Sequence, residues 1–459
     1  MNISIKTYEW LNLYNTYLNF DFFPKYAVTY YETLLRVETM VSEFYVGISL
    51  NSISFIFSFI TILLTLIAVL SDHNHENEST GLYNILVIST ICLVVCFISQ
   101  DLFWFYLGFE SVTIPIYYLI HMYGSDIDKF KACDWYALFS FFSGAVLSLA
   151  VAMLASQYGT TNISVLINKI NIITDIDNSI IHYIYLSLLI AFMIKLPVAP
   201  FHMWLPEAHA EAPTSGSIIL SGSILKLGGY GIYKYLIPLF GSITYYHPFI
   251  YTIVFISIIH GGLAAMSTNH IKQIIAYSSI VHMNLGALGL FSNKAYGVIG
   301  GLYCMLSHSF ISSGLFILAG TLYNRYQNYY IEKYSGLFEN TSNLSLFFGF
   351  FVFANISTPL TGNFIGEFLI FISLAKQNIY SLIIIVFYIL ITTTYSIMLL
   401  IKLIYGGIKV WKNNYSKEII IFKDTTVLEY NINLFLVVCV IILGVCPSVF
   451  LNSFFYSMK

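Results

Sequence analysis

Apolar runs of membrane-spanning length recur along this chain from residue 51 to its C-terminal end, with short polar connections between them. An α-helix needs about 20 predominantly apolar residues to cross a bilayer. Such stretches fall at about 51–71, 83–100, 102–122, 135–157, 181–204, 214–238, 247–267, 272–292, 296–323, 343–375, 380–408 and 431–455. The pattern predicts about twelve transmembrane helices. Ten-residue segments of alternating polarity are absent from the sequence. An open sheet edge would leave backbone groups unpaired in lipid, so the fold class is all-α, a polytopic helical bundle. Polar residues gather between the spans, as in DHNHENEST (72–80), DIDKFKACD (126–134), NRYQNYYIEK (324–333) and KVWKNNYSKEIIIFKD (409–424).

Two of the spans are interrupted. In AFMIKLPVAPFHMWLPEAHAEAPTSGS (191–217), Pro197 and Pro200 remove backbone donors in mid-span; in NISTPLTGNFIGEF (355–368), Pro359, Gly362 and Gly366 do similar damage. These are the fifth and tenth spans, five helices apart, and an odd-numbered repeat must be inverted. The expectation is two five-helix repeats of opposite topology, at about 83–238 and 247–408, each with a broken fourth helix. Corresponding breaks in two halves point to a transport site near the bilayer midplane. The alternative is two unrelated Pro/Gly kinks in a large bundle.

Composition agrees with a membrane domain. The chain is 58% hydrophobic and 9% charged, with a mean hydropathy of +0.77; an ordinary soluble domain is about 25% charged. Residues 46–459 read as one transmembrane domain, and residues 1–45 as a polar N-terminal segment outside the bilayer core, without the apolar core of a secretory signal. A net charge of -3 offers no basic patch for nucleic acid. The six cysteines show no C-x-x-C pair and no zinc or iron–sulfur spacing, so they read as apolar filler.

Against this background four charges lie well inside spans: Glu110, Lys195, Lys226 and Glu367. Each is costly, about 2.5–3.5 kcal/mol at the bilayer centre on insertion scales, and such residues usually face the bundle interior and mark ion or proton paths. A lysine passes a proton only if it is neutral part of the time. Withdrawal from water favours its neutral form and a nearby carboxylate its charged form, so a Glu110–Lys195 pair that forms and separates would switch it. Static ion pairs between helices are the competing explanation. His282 and His308 lie mid-span beside small hydroxyl residues. Imidazole exchanges protons near neutral pH, so they fit a relay, although a lone helical histidine often serves only in packing. A bis-histidine haem has no second mid-span pair to support it. His202, Glu207, His209 and Glu211, in the loop after the first break, stay open, and His73 and His75 read as solvated. No Walker A sequence, nucleophile elbow or H-E-x-x-H occurs, and LGGYG (227–231) reads as close helix packing.

The runs KLPVAPFHMWLPEAHAEAPTSGSIILSGSILKLGGYG, IKQIIAYSSIVHMNLG, MLSHSFISSGLFILAG and GNFIGEFLIF resemble the antiporter-like membrane subunits of NADH:ubiquinone oxidoreductase, respiratory complex I. The resemblance runs from about residue 45 to the end. It implies a bundle of two inverted five-helix repeats and a proton path carried by Glu110, Lys195, Lys226, His282, His308 and Glu367, with Lys402 as a further candidate. In sister subunits the Glu367 position is typically lysine. The resemblance implies no cofactor in this chain: NADH, FMN, iron–sulfur clusters and ubiquinone belong to other subunits. Implied partners are the other membrane-arm subunits, above all the adjacent antiporter-like ones, and the lipid bilayer, in the mitochondrial inner membrane; abundant Tyr, Phe, Ile and Asn suit an A+T-rich organellar gene. The family usually has fourteen helices; by this resemblance the chain begins at the third, so a separate chain is expected to supply the first two unless they are lost. A multisubunit cation/proton antiporter shares these motifs and is the alternative.

Overall fold

Helices account for every span that the hydropathy pattern predicts. The computed structural model describes residues 51–72, 79–125, 128–172, 179–241, 243–292, 294–334, 336–377, 380–405 and 423–457, all within one compact unit, Ile48–Lys459. The polar segment 1–45, His73, His75 and most of the 409–424 loop lie outside the described residues.

In chain order the helices are α1 Ser52–Ser71, α2 Ser79–Ile98, α3 Leu102–Ser111, α4 Thr113–Tyr123, α5 Lys129–Tyr158, α6 Ile163–Ile172, α7 Ser179–Lys195 and α8 Trp204–Glu211. A helical run over 214–240 follows, made of α9 Thr214–Ile219, α10 Leu225–Gly231 and α11 Ile237–Phe240 joined by π turns at Leu220–Ile224 and Ile232–Leu236. Then come α12 His247–Ser267, α13 Ile271–Leu290, α14 Ala295–Tyr326, α15 Ser342–Asn355, α16 Gly362–Ala375, α17 Tyr380–Ile404, α18 Val427–Val445 and α19 Ser448–Ser457. Among the described residues, eight helices are long and apolar enough to cross a membrane, with α3 and α4 acting as one; α7, α15 and α16 are shorter apolar helices. Extended pairing in the described residues is limited to two isolated bridges, Asp101 with Asn162 and His270 with Tyr330.

Among the eight long apolar spans, one is unlike the others. The most apolar window of α14 is 100% buried, whereas the other seven long spans bury 33–56% of theirs and turn the remainder outward. α14 packs along α13, α16, α18 and the 214–240 run, which makes it the axis of the bundle. It can carry His308 and four buried serines, Ser307, Ser309, Ser312 and Ser313, because no face of it meets lipid.

The order of elements repeats. α2, α3–α4, α5, the broken α7/α8 and the 214–240 run recur as α12, α13, α14, the broken α15/α16 and α17. The two breaks share one hydrogen-bond pattern. At the first, Leu196 N–H donates to Phe192 O, Val198 to Met193 and Phe201 to Val198; at the second, Ile356 donates to Val352, Thr358 to Phe353 and Thr361 to Thr358. This fixes the register between the halves: Asn355 stands where Lys195 stands, and Glu367 stands where Glu207 stands. Lys195 and Glu367 are therefore not counterparts, although each belongs to a broken helix.

Backbone groups freed at the first break are taken up by neighbouring helices, as they must be away from water. Ala199 N–H donates to Ser257 Oγ at 2.7 Å, Asn284 Nδ2 donates to Pro197 O at 3.2 Å, and Trp204 Nε1 donates to Ile194 O at 3.1 Å. The glycines of LGGYG let α10 approach closely. A Cβ on Gly228 would lie 2.7 Å from Phe192 O, and one on Gly229 would lie 2.3 Å from the Met305 side chain.

Candidate functional site

Lys195 is the last residue of α7 and is 1% exposed. Its Nζ donates to Ser140 Oγ on α5 at 3.0 Å and lies over the rings of Phe109 and Tyr136, 5.1 and 5.5 Å from their centres. The aromatic faces offer a cation–π environment in place of water. Glu110, half-buried at the end of α3, faces α5, where its Oε2 has no hydrogen-bond partner among the described residues. A Cβ on Gly144 would lie 1.7 Å from that oxygen, so the glycine is what admits the carboxylate. Lys195 and Glu110 make no ion pair within 4.0 Å in this conformation; the lysine bonds to Ser140 instead.

Lys226, on α10, is wholly buried. Its Nζ bonds to Ser221 O in the first π turn and reaches His308 Nδ1 on α14 at 3.2 Å. The π turn matters because a wider turn leaves a backbone carbonyl free to accept from a side chain. The rings of His308 and His282 are 5.6 Å apart, centre to centre.

His282, on α13, is held between two tyrosines of α17. Its Nδ1 lies 2.7 Å from Tyr388 Oη and 3.3 Å from Glu367 Oε1, and its Nε2 lies 3.4 Å from Tyr395 Oη. Tyr388 donates to Glu367 Oε1 at 2.5 Å. Lys226, His308, His282 and Glu367 thus form one buried row across the 214–240 run, α14, α13 and α16, while Glu110 and Lys195 form a separate group. Among the described residues no hydrogen bond joins Lys195 to Lys226. Lys402 lies half-buried in the last turn of α17, and no described contact ties it to the others.

Several participants carry no charge and give no signal in the hydropathy pattern. Tyr388 and Tyr395 are seven residues apart on α17, two turns along one face, which brings both to the same imidazole. Two further lysines are buried near span ends. Lys272, at the start of α13, donates to Ala212 O at 2.6 Å and lies 4.3 Å from the centre of the Tyr329 ring. Lys234 bonds to Phe97 O, Ser99 O and Tyr230 Oη, closing off the last carbonyls of α2 as a cation at a helix C-terminus does. Of the residues left open by the sequence, His202 Nε2 lies 2.8 Å from His260 Nδ1, and His209 stacks on Phe316 with ring centres 4.6 Å apart. Glu207 is half-buried on α8 and Glu211 is buried beside it. Cys96, Cys133 and Cys304 are buried, and all six cysteines are free. Among the described residues no three His, Cys, Asp or Glu side chains gather as a metal site would require.

Chemically, the row offers alternating groups that hold a proton or pass it on: amine, imidazole, imidazole, phenol and carboxylate. Each is excluded from bulk water, and each lies next to another member or to a neighbouring ring.

The sequence profile described as "NADH:quinone oxidoreductase/Mrp antiporter, TM" matches residues 99–392. A Marchantia polymorpha protein named "NADH-ubiquinone oxidoreductase chain 4" is 36% identical over 421 residues, covering 91% of this chain and 82% of that protein. The Rickettsia prowazekii (strain Madrid E) "NADH-quinone oxidoreductase subunit M" is 34% identical, covering 91% of this chain and 83% of that protein. Among solved structures, a chain of respiratory complex I from Thermus thermophilus with bound NADH superposes with a TM-score of 0.79 at 23% identity, over 89% of this chain and 84% of that one. A chain of the Mrp complex from Dietzia sp. DQ12-45-1b gives 0.81 at 17% identity, over 89% and 83%. These two likenesses establish the shared fold.

Proposed function

The chain belongs to the transmembrane family shared by NADH:quinone oxidoreductases and Mrp antiporters, and from that premise we propose that it is a proton-conducting membrane-arm subunit of an NADH:ubiquinone oxidoreductase. The observation that carries the conducting role is the buried row Lys226–His308–His282–Glu367, linked at 3.2 Å at one end and 3.3 Å at the other through adjacent imidazoles. His308 and Lys226 have no acid between them and bind each other only when one is neutral, so their contact is not an ion pair.

Protons are taken up near Lys195 and Glu110, pass Lys226 and the two histidines, and reach Glu367. Lys195 holds its proton while Glu110 is near and releases it when the two are apart; the Ser140 contact marks the separated arrangement. The energy comes from quinone reduction elsewhere in the assembly, and this chain contributes no redox centre of its own. NADH, FMN, iron–sulfur clusters and ubiquinone belong to other subunits, and the adjacent antiporter-like subunits are its neighbours. The site of action is the mitochondrial inner membrane, in keeping with the relatives named as NADH-ubiquinone oxidoreductases.

Replacing Lys195 or Glu367 by alanine is expected to abolish most proton pumping coupled to NADH oxidation in an assembled complex. Unchanged pumping by both variants would falsify the conducting role. The second reading, a subunit of a multisubunit cation/proton antiporter, has the fold of the Mrp chain behind it. Co-purification of this chain with NADH-dependent quinone reduction decides between them.

A further inference from the structure

Where the C-terminal ends of α1 and α14 meet the N-terminal ends of α9 and α18, the helices frame a small polar cavity. Ser71, Thr214, Thr321, Asn324 and Glu429 line it. Within an envelope of about 290 Å³, solvent at its mouth included, it leaves room for a single water-sized occupant. Gly320 lets α9 and α14 close around it, since a Cβ there would lie 2.0 Å from Thr214 Cγ2. None of these side chains belongs to the row that ends at Glu367.

The hydroxyls on its walls have no hydrogen left to offer. Ser71 Oγ donates to Ala68 O at 2.8 Å, Thr321 Oγ1 to Leu318 O at 2.8 Å, and Thr214 Oγ1 to Asp72 Oδ1 at 2.5 Å. Each has committed its one proton and keeps lone pairs. Two carboxylates complete the set. Asp72 follows Ser71 and accepts from Thr214, so it borders the cavity; it is 6% exposed, and its Oδ2 has no partner among the described residues. Glu429 receives Arg325 and the Thr426 N–H on Oε2, which leaves Oε1 without a bond among the described residues. A carboxylate oxygen withdrawn from water is costly unless a donor or a cation meets it.

Water answers this demand poorly. It has two hydrogens, whereas Asp72 Oδ2, Glu429 Oε1 and the three hydroxyl oxygens make five acceptors. A hard cation is held by several oxygens at once. The local charge points to a monovalent one, because Asp72 and Glu429 are two negative groups against the single guanidinium of Arg325. We propose that this cavity is a binding site for one alkali-metal cation, sodium or potassium, held by Asp72, Glu429, Thr214, Thr321 and Ser71. By bridging α1, α9, α14 and α18 the ion clamps one end of the bundle, including the start of the 214–240 run that carries Lys226. The site does not depend on the conducting role proposed above.

The test uses the assembled complex in detergent, exchanged into sodium chloride, potassium chloride or choline chloride at equal ionic strength. Hydrogen–deuterium exchange is followed by mass spectrometry in peptides covering 66–72, 320–326 and 427–433. The expected result is slower exchange in sodium or potassium than in choline, saturating with concentration and reaching about tenfold at about ten times Kd. Whichever of the two acts at the lower concentration is the resident ion. Asp72→Asn, which keeps the shape of the side chain and removes its charge, is expected to abolish the difference between the salts. Thr321→Val, whose lost hydroxyl bonds only within its own helix, repeats the test if the first variant fails to assemble, and is expected to move the midpoint to higher cation concentration. Equal exchange in all three salts would mean that water fills the cavity, and the proposal falls. It falls equally if the alkali-cation effect persists undiminished in both variants, since the ion then binds elsewhere.

Discussion

Glu110 can sit against α5 only because residue 144 is a glycine. Gly144→Ala would place a methyl group 1.7 Å from Oε2, and the carboxylate must then move. The strain is of the order of overpacking, about 1–3 kcal/mol. Its functional effect is expected to be larger, a fall in pumping of about tenfold or more, since a misplacement of about 1 Å can cost about 100-fold. Pumping by an assembled Gly144→Ala complex is the measurement, and an unaltered rate would mean that Glu110 need not hold this position. Charged members of the site were legible in the sequence because a charge inside an apolar span is costly and therefore rare. The hydroxyls were not. There are 37 tyrosines in the chain, and nothing in their spacing separates Tyr388 and Tyr395 from those that merely pack. Serines are as silent, since most in these helices, such as Ser148 and Ser156, bond back to their own preceding turn. Ser140 does work of another kind only because Lys195 reaches it.

The two broken helices were also legible, because proline and glycine in mid-span announce lost backbone bonds. Their register was not, since it depends on which carbonyls accept after the break. In sequence the stretches 191–217 and 355–368 correspond only as interrupted spans, whereas the hydrogen bonds pair Lys195 with Asn355 and leave Glu367 on the far half-helix. The π turns in the 214–240 run, LSGSI and IYKYL, gave no signal in the hydropathy pattern either. Neighbouring helices hold the first break in place. Ser257 accepts from Ala199 N–H and also donates to Ile253 O at 2.8 Å. Ser257→Ala is expected to leave that half-buried N–H without its partner and to destabilise the domain by up to about 1–3 kcal/mol, the cost of a buried unpaired group. Thermal inactivation of the purified complex reads this out, with Ser148→Ala, an exposed serine bonded within its own helix, as the comparison. Equal inactivation of the two variants would show that the break is held by other means.

At the scale of the whole molecule, the buried axis α14 separates two problems. One is how the two repeats fold around it, which the hydropathy pattern and the two breaks largely answer. The other is whether they work as one conductor, which depends on the gap between Lys195 and Lys226. His308 on α14 reaches Lys226 at 3.2 Å and its ring lies 5.6 Å from that of His282, which meets Glu367 at 3.3 Å, so the members of the proposed second part of the path are neighbours in this conformation. The proposed first part ends at Lys195, and crossing from there to Lys226 would require mobile water or a movement of the broken helix. If one path serves both halves, Lys195→Met and Glu367→Gln interrupt the same flow. The double variant then pumps no less than the worse of the two singles. If each half conducts by itself, the two flows add, so each single variant keeps the flow of the untouched half and the double variant loses the sum of the two losses. Pumping rates of the three variants, measured in complexes assembled to the same level, decide between one path and two.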